Sequence, residues 1–208
     1  MIELWHCKDA RSLRALWTLE ELGLDYRLHL MKFPPRVTEP DYTGVNPLGT
    51  VPFMTDGETR MTESSGITHY LARRYGEGTL AVAPEDPAYG DWLNWLYHSD
   101  ATLTFPQTLV LRYSVFEPKE RRVKQVADDY TQWFFSRLKL VNARVETHEF
   151  LAADRFTAAD IAVGYALYLA DTIGLGAHLK PQTRAYLDRL TARPAFQRAN
   201  GQGGPLLG

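Results

Sequence analysis

A change of pattern near residue 80 constrains this chain more than any other feature. Before it, short apolar runs of strand length alternate with helical stretches; after it, strand signals disappear and long amphipathic helical patterns take over. The stretch from Gly76-Glu77-Gly78 through Pro84 and Pro87 is dense in residues that break both helix and strand. The shift predicts two domains: residues 1–77, a linker over 78–87, and a helical domain over 88–208. With 208 residues, 45% of them hydrophobic, the chain can bury a substantial core.

In the first part, Ile2 to His6 reads as a strand running into the polar loop Lys8-Asp9-Ala10-Arg11. From Ser12, the apolar residues Leu13, Leu16, Trp17, Leu19 and Leu22 recur at helical spacing, and Gly23 is a natural C-terminal stop. Tyr26 to Leu30 reads as a second strand. The proline-rich stretch from Phe33 to Leu48 predicts irregular chain with one helical turn near Tyr42. Val51 to Met54 and Thr59 to Met61 form a hairpin around Asp56-Gly57, and Thr62 or Ser64 caps a helix reaching Tyr75. This order describes a small α/β layer, with an incomplete doubly wound sheet as the other possibility. The all-α second part carries helical patterns at Ala88 to Val115, Lys119 to Glu149, Ala158 to Ile173 and Gln182 to Thr191, punctuated by Pro118, Gly174 and Pro194. Thr157-Ala158-Ala159-Asp160 reads as a capping box with Asp in place of Glu. The Gly/Pro-rich tail after Asn200 predicts poor order.

A net charge of −2 without a long basic block gives no footprint for nucleic acid or an anionic membrane. A small-molecule or protein partner is expected instead. Cys7 is the one cysteine, which excludes an internal disulfide, a CxxC pair and a cysteine-based zinc site, and no metal-ligand spacing is present. The first residues lack the basic start and apolar run of a signal peptide, and no stretch approaches membrane-spanning length. The expected location is the cytoplasm.

Two dipeptides carry potential chemistry. A cis Val51-Pro52 bond would turn the Val51 amide and carbonyl outward, where an extended peptide could pair as an added strand; a trans proline guarding a sheet edge is the alternative. Glu63-Ser64 opens a helix, where backbone amides and a hydroxyl favour a carboxylate while Glu63 can accept from an ammonium group. That combination suits a free amino-acid head. Simple helix capping is again the alternative.

The sequence resembles the glutathione transferase family, and does so over nearly its whole length. The likeness rests on Ala10-Arg11-Ser12-Leu13-Arg14, Leu19-Glu20-Glu21-Leu22-Gly23, Asn46-Pro47-Leu48-Gly49-Thr50-Val51-Pro52, Glu63-Ser64-Ser65-Gly66-Ile67 and Phe156-Thr157-Ala158-Ala159-Asp160-Ile161-Ala162. The resemblance implies a thioredoxin-like first domain that binds glutathione and an all-α second domain beside which an apolar electrophile binds. It also implies a homodimer, a detoxifying role, and a place in the bacterial serine/cysteine-type branch rather than the tyrosine-type. Val51-Pro52 then matches the family's cis proline, and Glu63-Ser64 the pair that grips the γ-glutamyl end. Thr50 stands where relatives often carry a lysine or other polar residue; Lys32 and Arg36 are further candidates for the glycyl carboxylate. The 156–162 match implies a folding role.

Glutathione is the expected co-substrate, with no other cofactor. Its free thiol titrates near about 8.5, so attack at neutral pH requires the thiolate to be stabilised. Family members use Tyr, Ser or Cys in the loop after the first strand, and Ser12 is the hydroxyl available there, either as sulfur donor or as helix cap. Arg11 is the alternative stabiliser, as a fixed cation or a surface charge. Cys7 could exchange disulfides with glutathione or lie buried and inert. Aromatic residues Trp92, Trp95, Tyr97, Phe105, Tyr113 and Phe116 line a helix of the second part, as core or as cleft wall, and His98 and Asp100 accompany them. Three functions stay open: thiol transfer to a small hydrophobic electrophile; glutathione-dependent isomerisation, reductive cleavage or disulfide exchange; and a non-catalytic interaction module.

Overall fold

The computed structural model describes residues 1–203. Gly201 to Gly203 form a turn and bend, and the remainder of the tail expected to lack order lies outside the described residues. Contacts divide the chain into two units: residues 1–81 together with the described residues from 191 onward, and residues 82–190.

The first unit is built on a four-stranded sheet. Strand β1 (Ile2–His6) leads into helix α1 (Ser12–Leu22), which Gly23 ends at φ +61°, the left-handed conformation that favours glycine. Strand β2 (Tyr26–Leu30) returns parallel to β1. The proline-rich stretch forms a single helical turn, α2 (Pro35–Thr38), and a 3-10 helix over Pro40–Gly44. Strands β3 (Phe53–Asp56) and β4 (Thr59–Met61) make the hairpin, and α3 (Ser64–Tyr75) follows. The strand order is β2-β1-β3-β4, with β3 antiparallel to both neighbours. The sheet is therefore mixed, and the doubly wound alternative is excluded for these strands. Even-numbered β1 residues Ile2, Leu4 and His6 are buried, and α1 packs on α3 with Leu16, Trp17, Leu19, Ile67 and Leu71 fully inside.

The second unit is helical: α4 (Tyr89–Tyr97), α5 (Phe105–Leu111), α6 (Lys124–Arg137), α7 (Lys139–Val145), α8 (Ala158–Thr172) and α9 (Pro181–Thr191). The run expected as one helix over 88–115 is continuous, but it winds as π-helix over His98–Thr104 and Arg112–Phe116. Pro106 gives a physical reason for the first widening, because it lacks an N–H and its ring crowds the preceding turn. The stretch expected as one helix over 119–149 instead breaks at Val123 and Leu138. Helix α8 is buried from Ala158 through Leu167, the signature of a central helix apolar on all sides. Its capping box is present. The Thr157 hydroxyl accepts from the Ala159 amide, and Asp160 accepts from the Thr157 amide at 2.8 Å, the Leu151 amide at 3.0 Å and the Tyr186 hydroxyl at 2.7 Å.

One further helix, α10 (Pro194–Asn200), differs from the sequence reading, which took Pro194 as a breaker and ran the helical domain to 208. Proline suits the first turn of a helix, where its missing N–H has no intrahelical partner to lose. The helix packs on α1 of the first unit: Phe196 meets the Trp17 ring edge-on at 4.9 Å, and Arg193 holds Glu21 through two bonds of 2.6 and 2.9 Å. Among the described residues, no helix is long and apolar enough to cross a membrane.

Candidate functional site

The registers place three segments at one end of the sheet. Trp5 pairs with Phe53, so continuing that antiparallel register sets Val51 opposite Cys7, in the loop where β1 gives way to α1. Met54 pairs with Met61, which brings the end of β4 and the Glu63-Ser64 start of α3 to the same side. Residues 7–12, 50–52 and 62–64 thus converge.

The first segment is held by Ser12. Its hydroxyl lies 2.8 Å from His6 Nδ1, accepts from the Cys7 amide at 3.2 Å and faces the Cys7 carbonyl at 3.2 Å. Ser12 has no exposure. The group is enclosed and ties the end of β1 to the start of α1. It is not a side-chain cap, since α1 has none. Arg11, at the N-cap position, is the half-buried member of the pair. Cys7 is 1% exposed, and burial, reinforced by Glu39, pushes its thiol up to about 12. Such a thiol is inert to exchange at neutral pH.

The second segment is fixed through Thr50, whose carbonyl accepts from the Tyr42 hydroxyl and from Asn46 Nδ2, both at 2.8 Å. Gly49 sits at φ +58°, and a Cβ there would fall 2.6 Å from Arg36 Cβ, so neither the backbone nor the space admits a side chain. The Val51-Pro52 peptide bond is cis. Among the described residues the Val51 main chain has no hydrogen-bond partner, while Pro52 is buried and the Thr50 side chain is exposed.

In the third segment, Glu63 occupies the N-cap position of α3 in extended conformation, exposed and making no capping bond. Ser64 is 2% exposed and accepts from Arg14 Nη1 at 2.9 Å. Lys32 and Arg36 are exposed, and the Lys32 amide donates to Glu39 at 3.2 Å. Sequence reasoning missed Arg14, His6, Tyr42 and Asn46. Arg14 alone left a signal, as a charge set among the apolar positions of a helix. Among the described residues, no cluster of three or more His, Cys, Asp or Glu could hold a metal ion.

An end of a sheet offering an unpaired main-chain segment, an exposed carboxylate and a helix start with a buried hydroxyl matches a peptide with a free amino-acid head. Residues 10–74 match the family model of the glutathione S-transferase N-terminal domain, and residues 107–194 that of the C-terminal domain. Glutathione S-transferase 4 of Zea mays is 30% identical over 194 residues, spanning 88% of this chain and 83% of that protein. Glutathione S-transferase GstB of Escherichia coli K12 is 28% identical over 204 residues, spanning 95% of this chain and 97% of that one. The crystal structure of a glutathione transferase from Methylococcus capsulatus strain Bath superposes with a TM-score of 0.85 at 25% identity, over 97% of this chain and 98% of that one. With both domain models matched in order and the sheet and helices in place, the chain belongs to the glutathione S-transferase family of enzymes and has its fold, a thioredoxin-like domain followed by a helical one.

Proposed function

We propose that the protein binds glutathione at this end of the sheet and activates its thiol for attack on a small hydrophobic electrophile. The observation that carries the reading is the convergence of the unpaired Val51 main chain with Glu63 and Ser64. In this reading the cysteinyl main chain pairs with Val51, Glu63 accepts from the γ-glutamyl ammonium, and Ser64 with the first α3 amides holds the γ-glutamyl carboxylate. Thr50 supports the site through its fixed main chain, and Pro52 shapes the turn into β3. Arg11 and the amides at the start of α1 stabilise the thiolate, with Ser12 positioning the loop that carries them. The thiolate then forms the new carbon–sulfur bond as the leaving group departs with its electron pair, or as an activated double bond takes up the pair and then a proton. Glutathione is the co-substrate, and this displacement calls on no further cofactor. The buried, raised Cys7 thiol weighs against disulfide exchange through that residue. A cytoplasmic homodimer with a detoxifying role belongs to the same reading, supported by family membership.

Calorimetric titration with glutathione, thermal stability with and without it, and conjugation of an activated aryl halide test the proposal together. Native-state binding at a hundred times Kd adds about 2.7 kcal/mol of stability. No binding at millimolar glutathione, or binding without conjugation of aryl halides and unsaturated carbonyls, would refute it. Sedimentation tests the dimer.

A further inference from the structure

Arg14 lies on α1 with no exposure, yet carries a charge into the contact between α1 and α3. Its Nη1 donates to Ser64 Oγ at 2.9 Å. One helical turn further on, the Thr18 and Thr68 hydroxyls are 3.2 Å apart, so the two helices are pinned by polar pairs at matching positions. A guanidinium has donors and no acceptor, and it stays protonated across the working pH range. Ser64 Oγ must therefore accept from it. The serine hydroxyl has one proton, and that proton is left to point elsewhere. Among the described residues Arg14 is the one hydrogen-bond partner of that oxygen. Ser64 is the first residue of α3, and the start of a helix presents amide donors rather than acceptors. A bound carboxylate is the acceptor that such a hydroxyl lacks. Accepting from a cation also polarises the O–H bond and makes it a stronger donor.

We infer that Arg14 is a positioning residue for glutathione binding: from inside the α1–α3 contact it fixes the polarity of Ser64, so that the hydroxyl donates outward to the γ-glutamyl carboxylate. The inference rests on the proposed glutathione reading and deepens it, because it assigns selectivity for that carboxylate to a side chain that does not touch the ligand.

The experiment compares glutathione with 4-aminobutyryl-cysteinylglycine, the same peptide lacking the γ-glutamyl carboxylate, on wild type, Arg14→Met, Arg14→Gln, Arg14→Lys and Ser64→Ala. Arg14→Met is expected to weaken glutathione binding about ten-fold, the scale of one hydrogen bond to a charged group, and to leave affinity for the decarboxylated peptide unchanged. Arg14→Lys, still a donor without an acceptor, recovers part of the loss. The KM for glutathione rises while kcat at saturating glutathione holds. In a Ser64→Ala background Arg14→Met costs little more. Equal losses on the two peptides, additive losses in the double variant, or no loss at all would overturn the inference. Should Arg14→Met not fold, Arg14→Gln carries the same comparison, since its amide can also accept and so lets the Ser64 proton turn inward. A wild-type protein that binds no glutathione overturns the parent reading and this inference with it; a wild type that binds, beside unaffected variants, overturns the inference alone.

Discussion

Lowering the pH from 7 to 4 will destabilise the first unit chiefly through His6, with His69, which burial and then Arg73 also lower, adding in the same direction. Burial pushes the His6 imidazole down to about 4 from an ordinary 6.5, with Asp9 opposing and Lys8 adding to the effect. Nδ1 faces Ser12 Oγ, and Nε2 is enclosed without a partner among the described residues, so a second proton would place an unsatisfied charge in the core. The unfolded chain takes up that proton near 6.5 and the folded chain refuses it until about 4. Stability is therefore fully present above 6.5 and is lost as pH falls through that window, by about 3 kcal/mol at 1.36 kcal/mol per pH unit. Asp160, in the second unit, has the opposite sign. Burial raises it from 3.8 to about 6, against the lowering effect of Tyr186, Leu151 and Thr157. The folded state keeps a proton that the unfolded chain has already released, so stability falls as pH rises from about 4 to 6, again by about 3 kcal/mol. In a single unfolding step the two largely cancel over that range; in two steps the transitions move in opposite directions. Urea midpoints from pH 4 to 7.5 for wild type and His6→Gln separate them, because the variant should lose less stability on acidification than wild type, His69 and His98 keeping their smaller share of the acid limb. A folded-state NMR titration of the His6 ring near 6.5, or an acid limb unchanged in His6→Gln, would refute the reasoning.

Other changes have definite expected outcomes. Arg11→Ala should raise the titration of the bound glutathione thiol by about one pH unit, followed by thiolate absorbance; an unchanged titration would assign stabilisation to the α1 amides alone. Tyr186→Phe removes the 2.7 Å donor to Asp160 from a fully buried pair, so it should cost about 1.5–3 kcal/mol in denaturant unfolding and push the Asp160 carboxyl higher still. Phe196→Ala deletes a ring that is 2% exposed and packed on Trp17, for an expected loss of about 3–5 kcal/mol, with Trp17 fluorescence reporting the first unit.

The first unit was legible because its elements are short and locally punctuated. Gly23 and the Asp56-Gly57 turn mark where the helix ends and the hairpin turns, and β1, β2 and β4 fall where the apolar run of Ile2 to His6, the alternation of Tyr26 to Leu30 and the return of the hairpin over Thr59 to Met61 predict them. The long helices were legible as helices but not as turns, since periodicity over 88–115 does not resolve a 3.6-residue winding from the wider one beside Pro106. Helix α10 was hidden by Pro194, which marks a stop and a start alike. At the site, the Glu63-Ser64 pattern is local and readable, whereas the Arg14 bond to Ser64 spans fifty positions and leaves no spacing to find. The surroundings of Ser12 were hidden for a related reason: its bonds to His6 and Cys7, and their burial, depend on how the loop folds back rather than on residue spacing.

Because α10 completes the surface of α1, the first unit is encoded at both ends of the chain. On the ribosome, synthesis at about 5–20 residues per second leaves the Trp17 ring waiting for Phe196 while the whole of residues 82–190 is made. The unit encoded second is the first to have all its residues synthesised. The packing that closes the first unit therefore forms only once residues beyond 191 are available, and a chain cut before residue 191 leaves the α1 surface that Phe196 covers exposed to water.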